Sequence, residues 1–166
     1  MRESHETTHF SVADKSGNVV SMTYTLNSTF GSKVVIKDTG ILMNNEMDDF
    51  SAAPGIPNQF NLLGAEANQI TPFKRPLSSM TPTIVIKDEE LFFTTGSPGG
   101  SRIISAVLQS ILNIIDFGMD LEEATFAKRI HHQWYPDILE FEFSLDEEIN
   151  MKSVSYTHLT LPTIYS

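Results

Sequence analysis

Apolar and polar positions alternate over residues 8–14 and again over residues 18–26, with the turn cluster Lys15-Ser16-Gly17-Asn18 between the two runs. Period-two alternation broken by turn residues predicts a β-hairpin. In the second run Val20, Met22, Tyr24 and Leu26 share one face, and Val19, Ser21, Thr23 and Thr25 share the other. The apolar face is expected to meet the core or a covering helix layer. The small hydroxyl face is suited to line a site. Gly40-Ile41-Leu42-Met43-Asn44-Asn45 reads as a further short strand leading into Glu46-Met47-Asp48-Asp49-Phe50. Residues 51–76 show little periodicity and contain Pro54, Gly55, Pro57, Gly64, Pro72 and Pro76. An irregular stretch of that length within a compact domain is usually functional or disordered. Its Phe60, Leu62 and Leu63 would let residues 51–67 close over something as a lid.

Residues 82–87 and 91–95 are dense in apolar residues and predict two buried central strands joined by the acidic turn Asp88-Glu89-Glu90. Gly96-Ser97-Pro98-Gly99-Gly100-Ser101 follows and opens the strongest helical pattern, residues 102–117. That helix carries Ile103, Ile104, Val107, Leu108, Ile111, Leu112, Ile114 and Ile115, which leaves a narrow polar stripe and predicts flat packing on a sheet. Ser101 is the expected N-cap and Gly118 the stop. A second helix is expected over residues 121–127 with Asp120 as its cap, a strand over 138–143, and the start of a last helix over 146–152. Strands followed by helices, rather than strictly alternating units, predict an α+β fold. Val154-Ser155-Tyr156-Thr157-His158-Leu159-Thr160-Leu161-Pro162-Thr163 breaks the preceding pattern and resembles the translation of a sequencing-library adapter. Residues 154–166 are therefore read as a non-native tail and left out of the fold.

The 166 residues are 40% hydrophobic and 19% charged, a globular balance with enough chain for one core. A formal net charge of -10 repels a phosphate backbone and counts against nucleic-acid binding. With no cysteine, disulfides and thiolate metal sites are excluded. No apolar run is long enough to span a membrane. Residues 1–6 are short and polar, with no signal-peptide character.

Candidate chemistry lies in five places. Thr7-Thr8-His9-Phe10-Ser11-Val12 places hydroxyls at the first position of a strand. Ordinary β-propensity accounts for them. A second reading has the chain cut before Thr7, so that a new α-amine, with a pKa of roughly 7.7–8.0, takes the proton of the hydroxyl on its own residue. Glu46, Asp48 and Asp49 form either a solvated acidic turn or a receptor for an ammonium group. Ser78 and Ser79, after Pro76, form either a capped turn or donors to a carboxylate, with Arg75 nearby. Gly99-Gly100 before a helix is either a tight turn or an oxyanion hole of backbone N–H groups, and it lacks the pattern of a phosphate loop. His131-His132 point apart with no third ligand at metal spacing, so no metal is expected; His9 reads as a hydrogen-bonded residue within its strand.

Five motifs in this order, Thr7-Thr8-His9-Phe10-Ser11-Val12, Thr25-Leu26-Asn27, Asn44-Asn45-Glu46-Met47-Asp48-Asp49-Phe50, Lys74-Arg75-Pro76-Leu77-Ser78-Ser79-Met80 and Gly96-Ser97-Pro98-Gly99-Gly100, resemble the small catalytic subunit of the γ-glutamyltranspeptidases. The resemblance covers about residues 5–150 and implies a partial four-layer αββα sandwich of the N-terminal-nucleophile hydrolases, truncated at both ends. It implies that residues 1–6 end a large subunit and residues 7–153 begin the small one, separated by autocatalytic cleavage of a zymogen. It further implies Thr7 as nucleophile and Thr25 as the residue that orients it. Asn27, Glu46 and Asp49 would hold the substrate α-amino group, and Ser78 and Ser79 its α-carboxylate. Gly99 and Gly100 would form the oxyanion hole, and residues 54–65 the lid, with Phe60 as its aromatic gate. No cofactor is implied. The implied partners are the protein's own large subunit and γ-glutamyl compounds such as glutathione, in the periplasm or outside the cell. The implied activity is γ-glutamyl transfer and hydrolysis. Two rivals are a glutaryl or cephalosporin acylase of the same fold, against which the Asn27, Glu46 and Asp49 set argues, and a homologue that binds without cleaving.

Overall fold

The computed structural model describes residues 7–142. The expectations for residues 1–6, for the end of the last strand at 143, for a helix over 146–152 and for the tail over 154–166 lie outside the described residues.

The first hairpin forms where alternation predicts it. β1 (Thr7–Ala13) pairs antiparallel with β2 (Val19–Thr25), Thr7 opposite Thr25 and Ala13 opposite Val19. Asp14 closes the turn: its carboxylate accepts from the backbone N–H of Ser16 at 2.8 Å and of Asn18 at 2.9 Å. This is the local bonding that favours Asp at turns. The second hairpin joins β3 (Thr83–Lys87) to β4 (Glu90–Thr95) through Asp88 and Glu89, both at positive φ. Positive φ at both central residues is the turn whose twist matches that of the strands. A bulge falls between Val85 and Ile86.

The hydroxyl faces of the two hairpins meet. Ser11 Oγ lies 3.1 Å from Thr94 Oγ1, and Ser21 Oγ donates to the Thr95 carbonyl at 3.3 Å. The His9 ring packs so closely on Gly96 that a Cβ there would collide with it. This corrects the expected burial of the first hairpin's apolar face, which is open: Tyr24 is 63% exposed and Val12 58%. The inner face of that hairpin is the polar one, and nothing among the described residues covers the outer face. The second hairpin is likewise less buried than its apolar density predicts. Phe93 is 4% exposed, whereas Ile86 is 58% exposed and Ile84 and Phe92 are also open.

A 3-10 turn over Gly100–Arg102 leads into α1 (Ile103–Ile115), which packs beside β4 and buries Ile103 and Val107. Ile104, Leu108 and Ile115 remain exposed, so one side of the helix packs and the other is free. Ser101 does not cap α1 as expected; its hydroxyl donates to Gln133 Oε1 at 2.7 Å. Gly118, at positive φ, follows the helix end. α2 (Leu121–Phe126) starts with the expected Asp120 cap, in a capping box with Glu123. β5 (Ile130–His131) and β6 (Glu140–Phe141) form a short ladder. Arg102 grips Glu140 through two N–H groups, at 2.7 and 2.6 Å.

Residues 40–45 do not form the expected strand. A single bridge, Val35 to Leu42, is present there: Gly40 opens the stretch at positive φ, and the segment it faces is bounded by Lys33 and Asp38, also at positive φ. Residues 51–76 are irregular as expected, apart from a 3-10 turn over Glu66–Asn68. Hairpin on hairpin with helices beside the second is an α+β arrangement, three of the layers of an αββα sandwich. The open face of the first hairpin is where the remaining layer would sit.

Candidate active site

The cross-strand register of the first hairpin puts Thr7 opposite Thr25, and Thr7 Oγ1 donates to Thr25 Oγ1 at 3.2 Å. Thr25 Oγ1 also accepts the backbone N–H of Asn27 at 2.9 Å. Period-two spacing sets this meeting: both hydroxyls project from the same face of the sheet. Two residues further along the same face, His9 lies between Thr23 Oγ1 at 2.9 Å and Ser11 Oγ at 3.1 Å. Burial pushes the His9 pKa down, which favours the neutral ring.

Asn27 is buried and sits at φ 75°, a left-handed conformation that Asn tolerates better than most residues. Its Nδ2 donates to the Asn45 carbonyl at 3.3 Å. Asn45 returns the link, its Oδ1 accepting the Ser28 N–H at 2.9 Å and its Nδ2 donating to Ser28 Oγ at 3.0 Å. The turn after β2 is thus stapled to the segment that starts the acidic 3-10 turn, Glu46–Asp49.

Within that turn the Glu46 and Asp49 carboxyls lie close enough to shift each other's titration. Partial burial, then the Asp49 hydrogen bond and charge, push the Glu46 carboxyl up to about 7. Burial and the Asp48 charge push Asp49 upward, against the Glu46 hydrogen bond, which pulls it down. Two half-buried carboxylates this close hold one proton between them when no cation is near. An ammonium group would displace that proton and donate charge-assisted hydrogen bonds to both.

Asn68 joins this turn to the serines. Its Nδ2 donates to the Asp49 carbonyl at 2.7 Å, and its Oδ1 accepts the Leu77 N–H at 2.9 Å. Ser79 and Asp49 line one cavity of about 120 Å³ together with Ile56, Pro57 and Leu62 of the loop. Ser78 is exposed and its Oγ accepts the Met80 N–H at 3.2 Å, so the two serines face different surroundings. Asp48 holds the loop, its carboxylate accepting the Gln59 N–H at 3.1 Å.

Gly99 and Gly100 have φ 137° and 59°, values that favour glycine at both positions. A Cβ at Gly100 would lie 2.9 Å from Phe60 Cε1, so the Phe60 ring rests directly on the backbone at Gly100. The structure therefore makes three groups: Thr7, Thr25 and Asn27; Glu46, Asp49 and Ser79; and Gly99, Gly100 and Phe60. Asn45, Gln59, Asn68 and Gln133 tie the groups together, and of these the sequence marks only Asn45, through its place in the Asn-Asn-Glu motif. His131 is buried with Ser105 Oγ on Nδ1 at 2.6 Å and Gln133 Oε1 on Nε2 at 3.0 Å. His132 pairs with Asp137 at 2.8 Å instead. Among the described residues no three His, Cys, Asp or Glu side chains gather as metal ligands, and no helix is long and apolar enough to cross a membrane.

Two stacked hairpins, flanking helices and a threonine opening the first strand define the class, an N-terminal-nucleophile hydrolase fold. The sequence model of the γ-glutamyltranspeptidase family matches residues 1–157, and the chain belongs to that family. It is 60% identical over 140 residues to the glutathione hydrolase proenzyme of Escherichia coli, covering 84% of this chain and 24% of that protein. The chain thus spans about a quarter of the length of that curated relative. A solved mutant γ-glutamyltranspeptidase of Helicobacter pylori superposes with a TM-score of 0.84 at 49% identity, covering 95% of this chain and 86% of that one. The transpeptidase CapD of Bacillus anthracis is more distant, with a TM-score of 0.66 at 26% identity over 93% of this chain and 77% of that one.

Proposed function

We propose that the full-length protein containing this chain hydrolyses and transfers γ-glutamyl groups, with Thr7 as nucleophile after cleavage of the Glu6–Thr7 bond. The observation that carries the reading is the Thr7–Thr25 hydroxyl pair at the first residue of β1. Its support from the relatives is that the Escherichia coli one is named a proenzyme and is about four times this chain's span, while the solved Helicobacter pylori chain is near its size. That is the pattern expected of a precursor cut into two chains.

In the reaction the Thr7 α-amine takes the proton of Thr7 Oγ1 as the oxygen attacks the γ-carbonyl carbon. Thr25 orients that oxygen. The carbonyl oxygen becomes an alkoxide that accepts hydrogen bonds from the Gly99 and Gly100 N–H groups. Collapse breaks the carbon–nitrogen bond, the leaving amine takes the proton, and a γ-glutamyl ester of Thr7 remains. Water or an acceptor amine then attacks the ester by the same route. Asn27, Glu46 and Asp49 hold the donor's ammonium group, and Ser78 and Ser79 hold its α-carboxylate. The relatives' name makes glutathione the first donor to try. Residues 1–6 belong to the large subunit, residues 7–153 to the small one and residues 154–166 to a foreign tail. The large subunit covers the open apolar face of the first hairpin. The proposed location is periplasmic or extracellular.

Hydrolysis of γ-glutamyl and glutaryl p-nitroanilides by the full-length protein tests this reading. The γ-glutamyl compound should be cleaved faster, because only it carries the ammonium group that Glu46 and Asp49 would bind. Faster glutaryl cleavage would make the protein an acylase of the other kind, and cleavage of neither would make it a binding homologue.

A further inference from the structure

We infer that Gln133, a residue outside the five motifs, couples the lid to the oxyanion turn; the kinetic part of this inference rests on the function proposed above. Gln133 follows β5, and its side-chain amide is fully used. Its Nε2 donates to the Phe60 carbonyl at 3.1 Å and to the Tyr135 carbonyl at 3.0 Å. Its Oε1 accepts the Ser101 hydroxyl at 2.7 Å and faces His131 Nε2 at 3.0 Å. Carbonyls only accept, so the two on one side fix which end of the amide is nitrogen. His131 Nε2 must then be the donor to Oε1. The buried His131 ring, also bonded to Ser105, anchors Gln133 to α1.

The contacts close a ring. The Phe60 side chain rests on Gly100, Gly100 is bonded to Ser101, Ser101 is held by Gln133, and Gln133 holds the Phe60 carbonyl. The backbone N–H groups of Gly99 and Gly100 point where the adjoining peptide planes are held. Ser101 is the next residue, and its hydroxyl is spent on this link rather than on capping α1. Opening the lid breaks the bond to Gln133 and lifts the ring from Gly100 together, so the oxyanion turn is fully constrained only while the lid is closed. Gln133 touches no reacting atom; it is a positioning residue that links closure to competence for the chemical step.

The test uses the full-length, self-processed protein with Gln133→Glu and Ser101→Ala. The first variant keeps the acceptor for Ser101 and His131 and loses both donors. Loss of the bond to Phe60 should speed proteolytic cleavage within residues 54–65 about tenfold and lower kcat about tenfold, with the donor KM changed less than about twofold. Ser101 is no part of the lid, yet Ser101→Ala too should speed lid cleavage, and in the Gln133→Glu background it should add nothing. Wild-type rates of lid cleavage in either variant, an effect on KM alone, or additive effects on cleavage would overturn the inference. Should Gln133→Glu fail to fold, Ser101→Ala decides it alone. A wild-type protein that cleaves no γ-glutamyl amide refutes the proposed function, and the lid-cleavage comparison still decides the role of Gln133.

Discussion

Replacing Asp49 by Asn removes one of the two carboxylates that share a proton at the subsite proposed for the donor's ammonium group. Glu46 stands near 7 because of burial first and Asp49 second. A donor amine needs both groups ionised, so a proton must leave before it binds. With a pKa of about 7, that requirement costs a factor of about 1.1 at pH 8 and about 11 at pH 6. A glutaryl donor has no ammonium group and escapes the factor. The ratio of γ-glutamyl to glutaryl kcat/KM also cancels the titration of the Thr7 amine, which both donors need. The ratio should therefore fall about tenfold from pH 8 to pH 6 in the wild type. In Asp49→Asn the charged contact is lost, worth about 1.5–3 kcal/mol, or roughly a 10- to 150-fold drop in the ratio at pH 8. Glu46, freed of Asp49's charge and hydrogen bond, should titrate lower, and the acid-side fall in the ratio should move to lower pH. Equal losses for both donors, or an unchanged pH profile of the ratio, would refute the shared-proton subsite.

Thr25→Val keeps the shape of the side chain and removes the hydroxyl that meets Thr7 and Asn27; kcat should fall about a hundredfold, and wild-type turnover would remove Thr25 from the mechanism. Gly100→Ala forces a Cβ to 2.9 Å from the Phe60 ring at φ 59°, so steady-state kcat should drop about tenfold or more, beyond the roughly 1–2 kcal/mol of backbone strain. Unchanged kcat would mean that the turn is not part of the site. Gly31→Ala sets a Cβ against the Met43 carbonyl at φ 55° and should cost about 1–3 kcal/mol, read as a lower Tm of the full-length protein; an unaltered Tm would contradict the tight approach. Glu46 also sets a stability trend: its native pKa lies above the ordinary value, so the native state holds more protons between about pH 4.5 and pH 7. Its contribution is present at low pH and is lost as pH rises through that window, which Tm measured against pH and compared with Glu46→Gln will show.

Both hairpins were legible because alternation is a local property and their turns carry Asp, Gly or positive φ where the geometry asks for them. That Thr25 serves Thr7 was legible only through the family resemblance; the register that sets the two opposite each other comes from the structure. The strand expected over 40–45 failed because Gly40 opens it at positive φ and its partner segment is bounded by Lys33 and Asp38, also at positive φ, which no apolar pattern reports. Tyr24, Val20 and Ile86 are more open than their pattern predicts because alternation tells which residues share a face, not whether this chain supplies the cover. Ser101 reads as an N-cap from its place before α1, yet its hydroxyl is claimed by Gln133, 32 residues on. Asn68 and Gln133 left no mark in the sequence: an amide that joins separate loops looks like any polar loop residue until the loops meet.

The most direct measurement is mass spectrometry of the purified full-length protein before and after a γ-glutamyl-mimetic affinity label. Cleavage between Glu6 and Thr7, with the label's added mass on Thr7 and its loss in Thr7→Ala, is the expected result. An uncut chain that still hydrolyses γ-glutamyl anilide, or a label carried by any other residue, would contradict the role given to Thr7.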